Sequence, residues 1–368
     1  MADNKNILVY PAGTEAAFEI HQALRCCPFV RLFGAESKPS HAPFVFAHCR
    51  STLPDESDPG LIAALNTIID AEGIDCLFPA SDSALLLLSR RRGELHCELI
   101  AAPSETVEAC LAAERPADAP GKSFLADCFT DRHGVLRLVS PRTRERVRAG
   151  MAVRTRVFPA DEGIRAIAED VNRRLRFRGA WYFLLRQDAA GAYRLLETHP
   201  GVAASMGAVR ALGYNLPLLT LCDHLGRDVE LFGNDTALLM DRAFVSRFQT
   251  ALSYEHVYVD FDDTLIVNGK VNAELMAFLY QAKSRGKKLY LLSRHSTELL
   301  PELPRYAISP ALFTEIIHLR AGENKADFIL PDSIFIDDSF AERKRVKEAC
   351  RIPVFDLDMV ESLLDWKE

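Results

Sequence analysis

Val257-Tyr258-Val259-Asp260-Phe261-Asp262-Asp263-Thr264-Leu265-Ile266 is the stretch around which the chain is organised. Its opening residues are apolar and β-prone, which reads as a buried strand of a parallel sheet. Three carboxylates, Asp260, Asp262 and Asp263, then fall within four positions. Open α/β sheets place their ligands at the C-terminal ends of such strands. Negative charge concentrated there costs stability unless a cation or a substrate compensates it. An Asp-rich turn can cap the helix that follows, but capping uses only one of these acids.

Outward from this stretch, residues 255–368 alternate between the two periodicities. Strands are expected at Val257–Asp260, Lys288–Leu292, Glu315–His318, Ser333–Ile336 and Val354–Phe355. Helices are expected at Ala273–Arg285, near Thr297–Leu300, at Lys325–Leu330, at Ala341–Cys350 and from Asp358. Such alternation predicts a Rossmann-like parallel sheet. Chemistry-bearing residues recur at the element ends: the Asp260 cluster, Ser293, Lys325 and Asp337-Asp338.

In type and order this set resembles the haloacid-dehalogenase (HAD) superfamily, whose first motif is Asp-x-Asp-x-Thr after an apolar strand. The resemblance spans the C-terminal domain. It implies that Asp260 attacks phosphorus and that Asp262 serves as acid and base. It also implies Mg2+ on a carboxylate oxygen of Asp260, the backbone carbonyl of Asp262, and Asp337 or Asp338. Ser293 and Lys325 would then hold the phosphoryl oxygens. Leu265–Asn272 and Ser293–Lys325 are too short for an inserted cap, so the domain is read as capless. The expected activity is a Mg2+-dependent phosphatase, a hydrolase acting on a phosphorylated small molecule through an aspartyl-phosphate.

The first part of the chain, to about Val107–Ala113, also alternates strand and helix, and Phe44–Ala47 is expected among its strands. A Pro- and Gly-rich linker at Glu114–Gly121 follows, then strands separated by turns such as Asp131-Arg132-His133-Gly134. A hairpin is expected at Trp181–Arg186 and Tyr193–Glu197, and a helix between Asp235 and Tyr254. Arg142, Arg144, Arg146 and Arg148 fall at strand period and are expected to form one cationic ridge for substrate. The order of the first 230 or so residues, with Phe124–Gly150, Gly179–Gly201 and Ala211–Pro217, resembles the ATP-grasp family of the carbamoyl-phosphate-synthase type. That family places Mg2+ ligands on the hairpin. Here Leu184 stands at the first ligand position, and Glu197-Thr198-His199 keeps the acid but replaces Asn with His. The stretch from Ala112 to Phe124 is also too short for the family's nucleotide lobe, so this half is read as a degenerate ATP-grasp lobe that selects substrate.

The expectation is therefore an α/β protein of three domains. These are a Rossmann-like leading domain (1–115), a truncated ATP-grasp-like α+β lobe (121–236) and a Rossmann-like HAD domain (250–368). The alternative from a different class is an ATP-dependent carboxylate–amine ligase with an ancillary phosphatase domain. A net charge of -7 over 368 residues argues against nucleic acid as a partner. No apolar run approaches the roughly 20 residues of a membrane span. The nine scattered cysteines point to reduced thiols in a cytoplasm rather than disulfides. A homo-oligomer that borrows a lid across its interface is compatible with a capless domain.

Overall fold

Strands that are apolar on both faces need cover on both sides, and this chain supplies it with a helix between successive strands. The computed structural model describes residues 4–112, 122–148 and 150–367. The Glu114–Gly121 linker lies outside the described residues. The chain divides into two compact units, Met1–Val245 and Ser246–Trp366.

The first unit begins with Lys5–Tyr10 (β1), Glu15–Leu24 (α1), Val30–Ala35 (β2), His48–Arg50 (β3), Leu61–Glu72 (α2), Cys76–Pro79 (β4), Asp82–Arg90 (α3), Glu98–Leu99 (β5) and Ser104–Leu111 (α4). The five strands form a wholly parallel sheet in the order β3-β2-β1-β4-β5. The N-termini of α1 and α3 follow the C-terminal ends of β1 and β4. Each is capped by a hydroxyl: Thr14 Oγ1 accepts from Ala17 N and Ser81 Oγ from Ala84 N, both at 3.1 Å. The strand expected at Phe44–Ala47 does not form. Ala42–Phe44 is a 3-10 turn, because Pro43 fixes φ and offers no donor to a ladder.

Next come Lys122–Thr130 (β6), Leu136–Thr143 (β7), Arg146–Arg148 (β8), Met151–Arg156 (β9), Glu162–Leu175 (α5), Gly179–Gln187 (β10), Tyr193–Pro200 (β11), Gly207–Ala211 (α6), Leu216–His224 (α7) and Leu239–Asp241 (β12). An antiparallel sheet runs in the order β11-β10-β6-β7, and a smaller one in the order β12-β9-β8. Period-2 alternation gives the larger sheet two different faces. Ala126, Cys128, Trp181, Phe183 and Leu185 pack against Ile164, Ala168 and Val171 of α5. Asp127, Leu125, Tyr182 and Leu184 point to the opposite face. The helix expected before Tyr254 is absent. The backbone there turns to β9 instead, with Arg242 N donating to Val153 O at 2.8 Å and Val157 N to Leu238 O at 3.2 Å.

The second unit contains His256–Val259 (β13), Ile266–Val267 (β14), Lys270–Val271 (β15), Ala273–Ser284 (α8), Lys288–Ser293 (β16), Leu299–Glu302 (α9), Glu315–His318 (β17), Ser333–Ile336 (β18), Phe340–Cys350 (α10) and Val354–Phe355 (β19). Its sheet, in the order β17-β16-β13-β18-β19, is parallel throughout. Val257, Val259, Leu289, Leu291, Ile334 and Ile336 pack on one side with Leu275, Phe278 and Leu279 of α8. Tyr258, Tyr290 and Phe335 pack on the other with Val346 of α10. At about 1.5–3 kcal/mol per buried large side chain, this two-sided burial holds the strand ends in place. The helix expected at Lys325–Leu330 is a single 3-10 turn, Lys325–Phe328, cut short before Pro331. The terminal helix is likewise a 3-10 segment, Leu357–Ser362. The protein is α/β, and among the described residues no helix is long and apolar enough to cross a membrane.

Candidate functional site

Two places gather charged side chains, one in each unit. In the second unit the parallel sheet brings adjacent strand ends together. Asp260 follows β13, Ser293 closes β16 on one side, and Asp337-Asp338 follow β18 on the other. Lys325 reaches in from its 3-10 turn, and its Nζ lies 2.6 Å from both Asp260 Oδ1 and Asp337 Oδ2. Asp260, Asp337, Lys325 and Ser293 are all buried. Thr264 Oγ1 donates to Asp338 Oδ1 at 2.9 Å and accepts from Asp338 N at 3.0 Å, which fixes that loop. Arg343 Nη1 donates to the carbonyls of Asp337 and Asp338, each at 2.6 Å.

Burial raises the Asp260 carboxyl above its usual range despite the Lys325 ammonium. Asp337 is pushed up to about 6, by burial first and then by the charge of Asp260, with Lys325 opposing. Burial works to lower the Lys325 ammonium, but its two carboxylates outweigh this and raise it. Carboxylate oxygens of Asp260, Asp337 and Asp338 lie within 4.8 Å of one another, the one such metal-competent group among the described residues. One lysine against three carboxylates leaves a negative excess held by hard oxygens, and this donor set fits Mg2+. The Asp262 side chain lies apart. It is exposed and paired with His295 Nδ1 at 2.7 Å, a partner that sequence reasoning missed because His295 sits in a loop 33 residues away.

In the first unit, the polar face of the antiparallel sheet and the N-termini of α1 and α3 enclose a cleft of about 540 Å³. Strand register sets what lies across it. Glu197 of β11 is opposite Leu184 of β10, and His199 is opposite Tyr182, with the two rings stacked at 4.7 Å. His199 Nε2 is 3.0 Å from Glu197 Oε2, and its Nδ1 is 3.6 Å from Asp82 Oδ2. Burial lowers the basicity of His199, but these two carboxylates outweigh it and raise its pKa. Leu184 lines the cleft with no oxygen to offer. Glu197 therefore lacks the hairpin partner that a magnesium ion needs, and Mg2+ does not fit here.

The four arginines do not form one ridge. Arg142 is wholly buried and pairs with Asp127 at 2.6 and 3.0 Å. The chain leaves β7 at Thr143 and re-enters a different sheet at β8, so the shared strand period is broken. Arg146 pairs with Asp241, away from the cleft, whereas Arg144 and Arg148 line it.

No family model and no curated protein matches this chain. Solved structures do. Pyruvate carboxylase from Rhizobium etli is similar over 62% of this chain and 28% of its own, with 13% identity and a TM-score of 0.50. Its T882A form, crystallized without acetyl coenzyme-A, gives 14% identity and a TM-score of 0.51 over the same shares. A biotin carboxylase–β-γ-ATP complex from Campylobacter jejuni covers 61% of this chain and 72% of its own, at 9% identity and a TM-score of 0.48. The chain contains an ATP-grasp-like half. It spans little more than a quarter of the pyruvate carboxylase chains. These neighbours are carboxylases, and they overturn the expectation of a HAD-type phosphatase, a phosphoric monoester hydrolase.

Proposed function

We propose that this chain is an ATP-dependent ligase of the ATP-grasp type, joining a carboxylate to an amine. The observation that carries the reading is the cleft on the polar face of the β11-β10-β6-β7 sheet. It keeps Glu197 and places arginines and carboxylates around one small-molecule-sized space. Support comes from the pyruvate carboxylases, whose fold is similar over 62% of this chain.

The chemistry requires activation, because a carboxylate is a poor electrophile. The γ-phosphoryl group of ATP passes to a carboxylate oxygen, leaving ADP and an acyl phosphate. The amine then attacks the carbonyl carbon, the C–O bond breaks, and phosphate leaves while the amine loses a proton. In the cleft, the Arg144 and Arg148 guanidiniums would hold a carboxylate, and Glu197 would accept a hydrogen bond from the amine. The second unit has a site of its own, where Asp260, Asp337 and Asp338 would hold Mg2+ and the ion would supply a charge clamp for an anionic group beside Ser293 and Lys325.

The test is ADP release by the full chain with ATP, Mg2+ and pooled carboxylates and amines, with a condensed product followed by mass. Turnover should require both organic substrates and fall roughly 100-fold in Glu197→Gln. ADP release that ignores the substrates, or that survives this change, would sink the ligase reading. Leu184 opposite Glu197 favours a second reading, in which the first unit binds the same small molecule without turning over ATP. Ligand binding with no ADP release would select it.

A further inference from the structure

The cleft in the first unit is charged in an ordered way, and this bears on its substrate. Its acids are Glu15 and Asp82, from the first turns of α1 and α3, and Glu197 on β11. Its arginines, Arg144 and Arg148, come from the segment beyond β7. Because β11 and β7 are the two edges of a four-stranded sheet, Glu197 on β11 and Arg144, just beyond β7, belong to opposite ends of the cleft. Three inter-strand spacings put those edges about 14 Å apart, and long side chains from each end close much of that distance.

The middle of the sheet is apolar. Leu125 and Leu184 lie between the edges, in the same cross-strand row as Glu197 and Arg142. Near the β11 edge, His199 bridges the carboxylates of Glu197 and Asp82. With His199 protonated, the direction in which its carboxylates push it, the positive and negative groups lining the cleft balance. A simple anion would meet Glu197 and Asp82 at one end, and a simple cation would meet Arg144 at the other.

We propose that the cleft takes a zwitterion, an amino acid or short peptide, with its carboxylate toward Arg144 and Arg148 and its ammonium toward Glu197 and Asp82. This rests on the assignment of the cleft as the substrate site. It names one molecule carrying both of the groups that a carboxylate–amine ligase handles. The volume suits such a ligand, lying within the ~300–1,000 Å³ typical of small-molecule pockets.

Calorimetric titration of the full chain, without ATP, tests the proposal separately from ligase activity. The probes are the individual amino acids and a set of dipeptides, followed for the tightest binder by its des-amino and decarboxylated analogues. For leucine these are 4-methylpentanoate and isoamylamine. The expected result is a binder whose two analogues each bind at least about tenfold more weakly. Arg148→Ala should weaken the parent but leave the decarboxylated analogue unchanged, and Asp82→Asn should weaken the parent but leave the des-amino analogue unchanged. Both changes lie at exposed positions, and melting curves confirm folding. An analogue that binds as tightly as its parent, or the absence of any amino-acid or dipeptide binding, overturns the proposal. If the zwitterion binds while ADP release fails, the ligase reading falls and this one stands.

Discussion

Arg142 donates two hydrogen bonds to the Asp127 carboxylate, with neither side chain exposed to solvent. Removing one partner strands the other as an uncompensated buried charge, which typically costs about 3–5 kcal/mol. Arg142→Met should therefore destabilise the first unit by about that much in urea unfolding, and Arg142→Met/Asp127→Leu by clearly less. His21 provides a second test. Its ring is buried edge-on against Phe46, and burial, helped by Arg25, lowers its pKa to about 4. The unfolded chain protonates this histidine near pH 6.5 but the folded chain does not. Its effect on stability is thus neutral above pH 6.5, grows more unfavourable as pH falls, and levels off below about pH 4, at a loss of roughly 3 kcal/mol. His21→Phe should flatten the acid side of the stability curve across that window, and the difference between the two proteins isolates the imidazole. At this scale Asp260, Ser293, Lys325 and Asp337 were legible in the sequence, because each ends an apolar run or opens a turn. The burial of Arg142 was not, because its partner Asp127 lies on a neighbouring strand.

At the scale of elements, β10 and α7 are locked together at one tight contact. Gly179 has φ +80, and a Cβ there would come within 2.4 Å of Thr220 Cγ2. Thr220 Oγ1 also accepts from Ala180 N at 2.8 Å. Gly179→Ala combines left-handed backbone strain with a steric clash and should cost about 2–4 kcal/mol in denaturant unfolding. Gly134→Ala shares the positive φ but meets nothing within 4 Å, so it should cost only about 1 kcal/mol. At the same scale, pairing between strands overrides local sequence pattern. Arg142 to Arg148 keep an even spacing, yet the chain changes sheets after Thr143 and only part of the expected ridge reaches the cleft. Leu239–Asp241 has helix-compatible residues around it, but pairing with β9 takes up its backbone groups. Lys325 keeps its place at the site although its helix is one 3-10 turn, because two carboxylates hold its ammonium.

At the scale of the whole molecule, each unit has apolar cores of its own. The Ser246–Trp366 segment should unfold cooperatively when expressed alone, since its sheet is covered on both faces from within. If Asp260, Asp337 and Asp338 hold a divalent ion, Mg2+ at about 100 times its dissociation constant should add roughly 2.7 kcal/mol of stability. Asp337→Asn should abolish that increment, and an unchanged Mg2+ effect on the thermal midpoint would remove the cluster as the binding site. The sequence by itself determined the two parallel sheets and the acid, serine and lysine set, because apolar runs and the residues that end them are local properties. Parallel connection then brings those ends to one edge without further instruction. The tertiary structure alone decided the cleft. Glu15, Asp82, Glu197 and the arginines are far apart in the chain, and strand order and register settle which of them share a face. Periodicity states that a strand has two sides, whereas packing decides which side is covered by α5 and which is left open to a ligand.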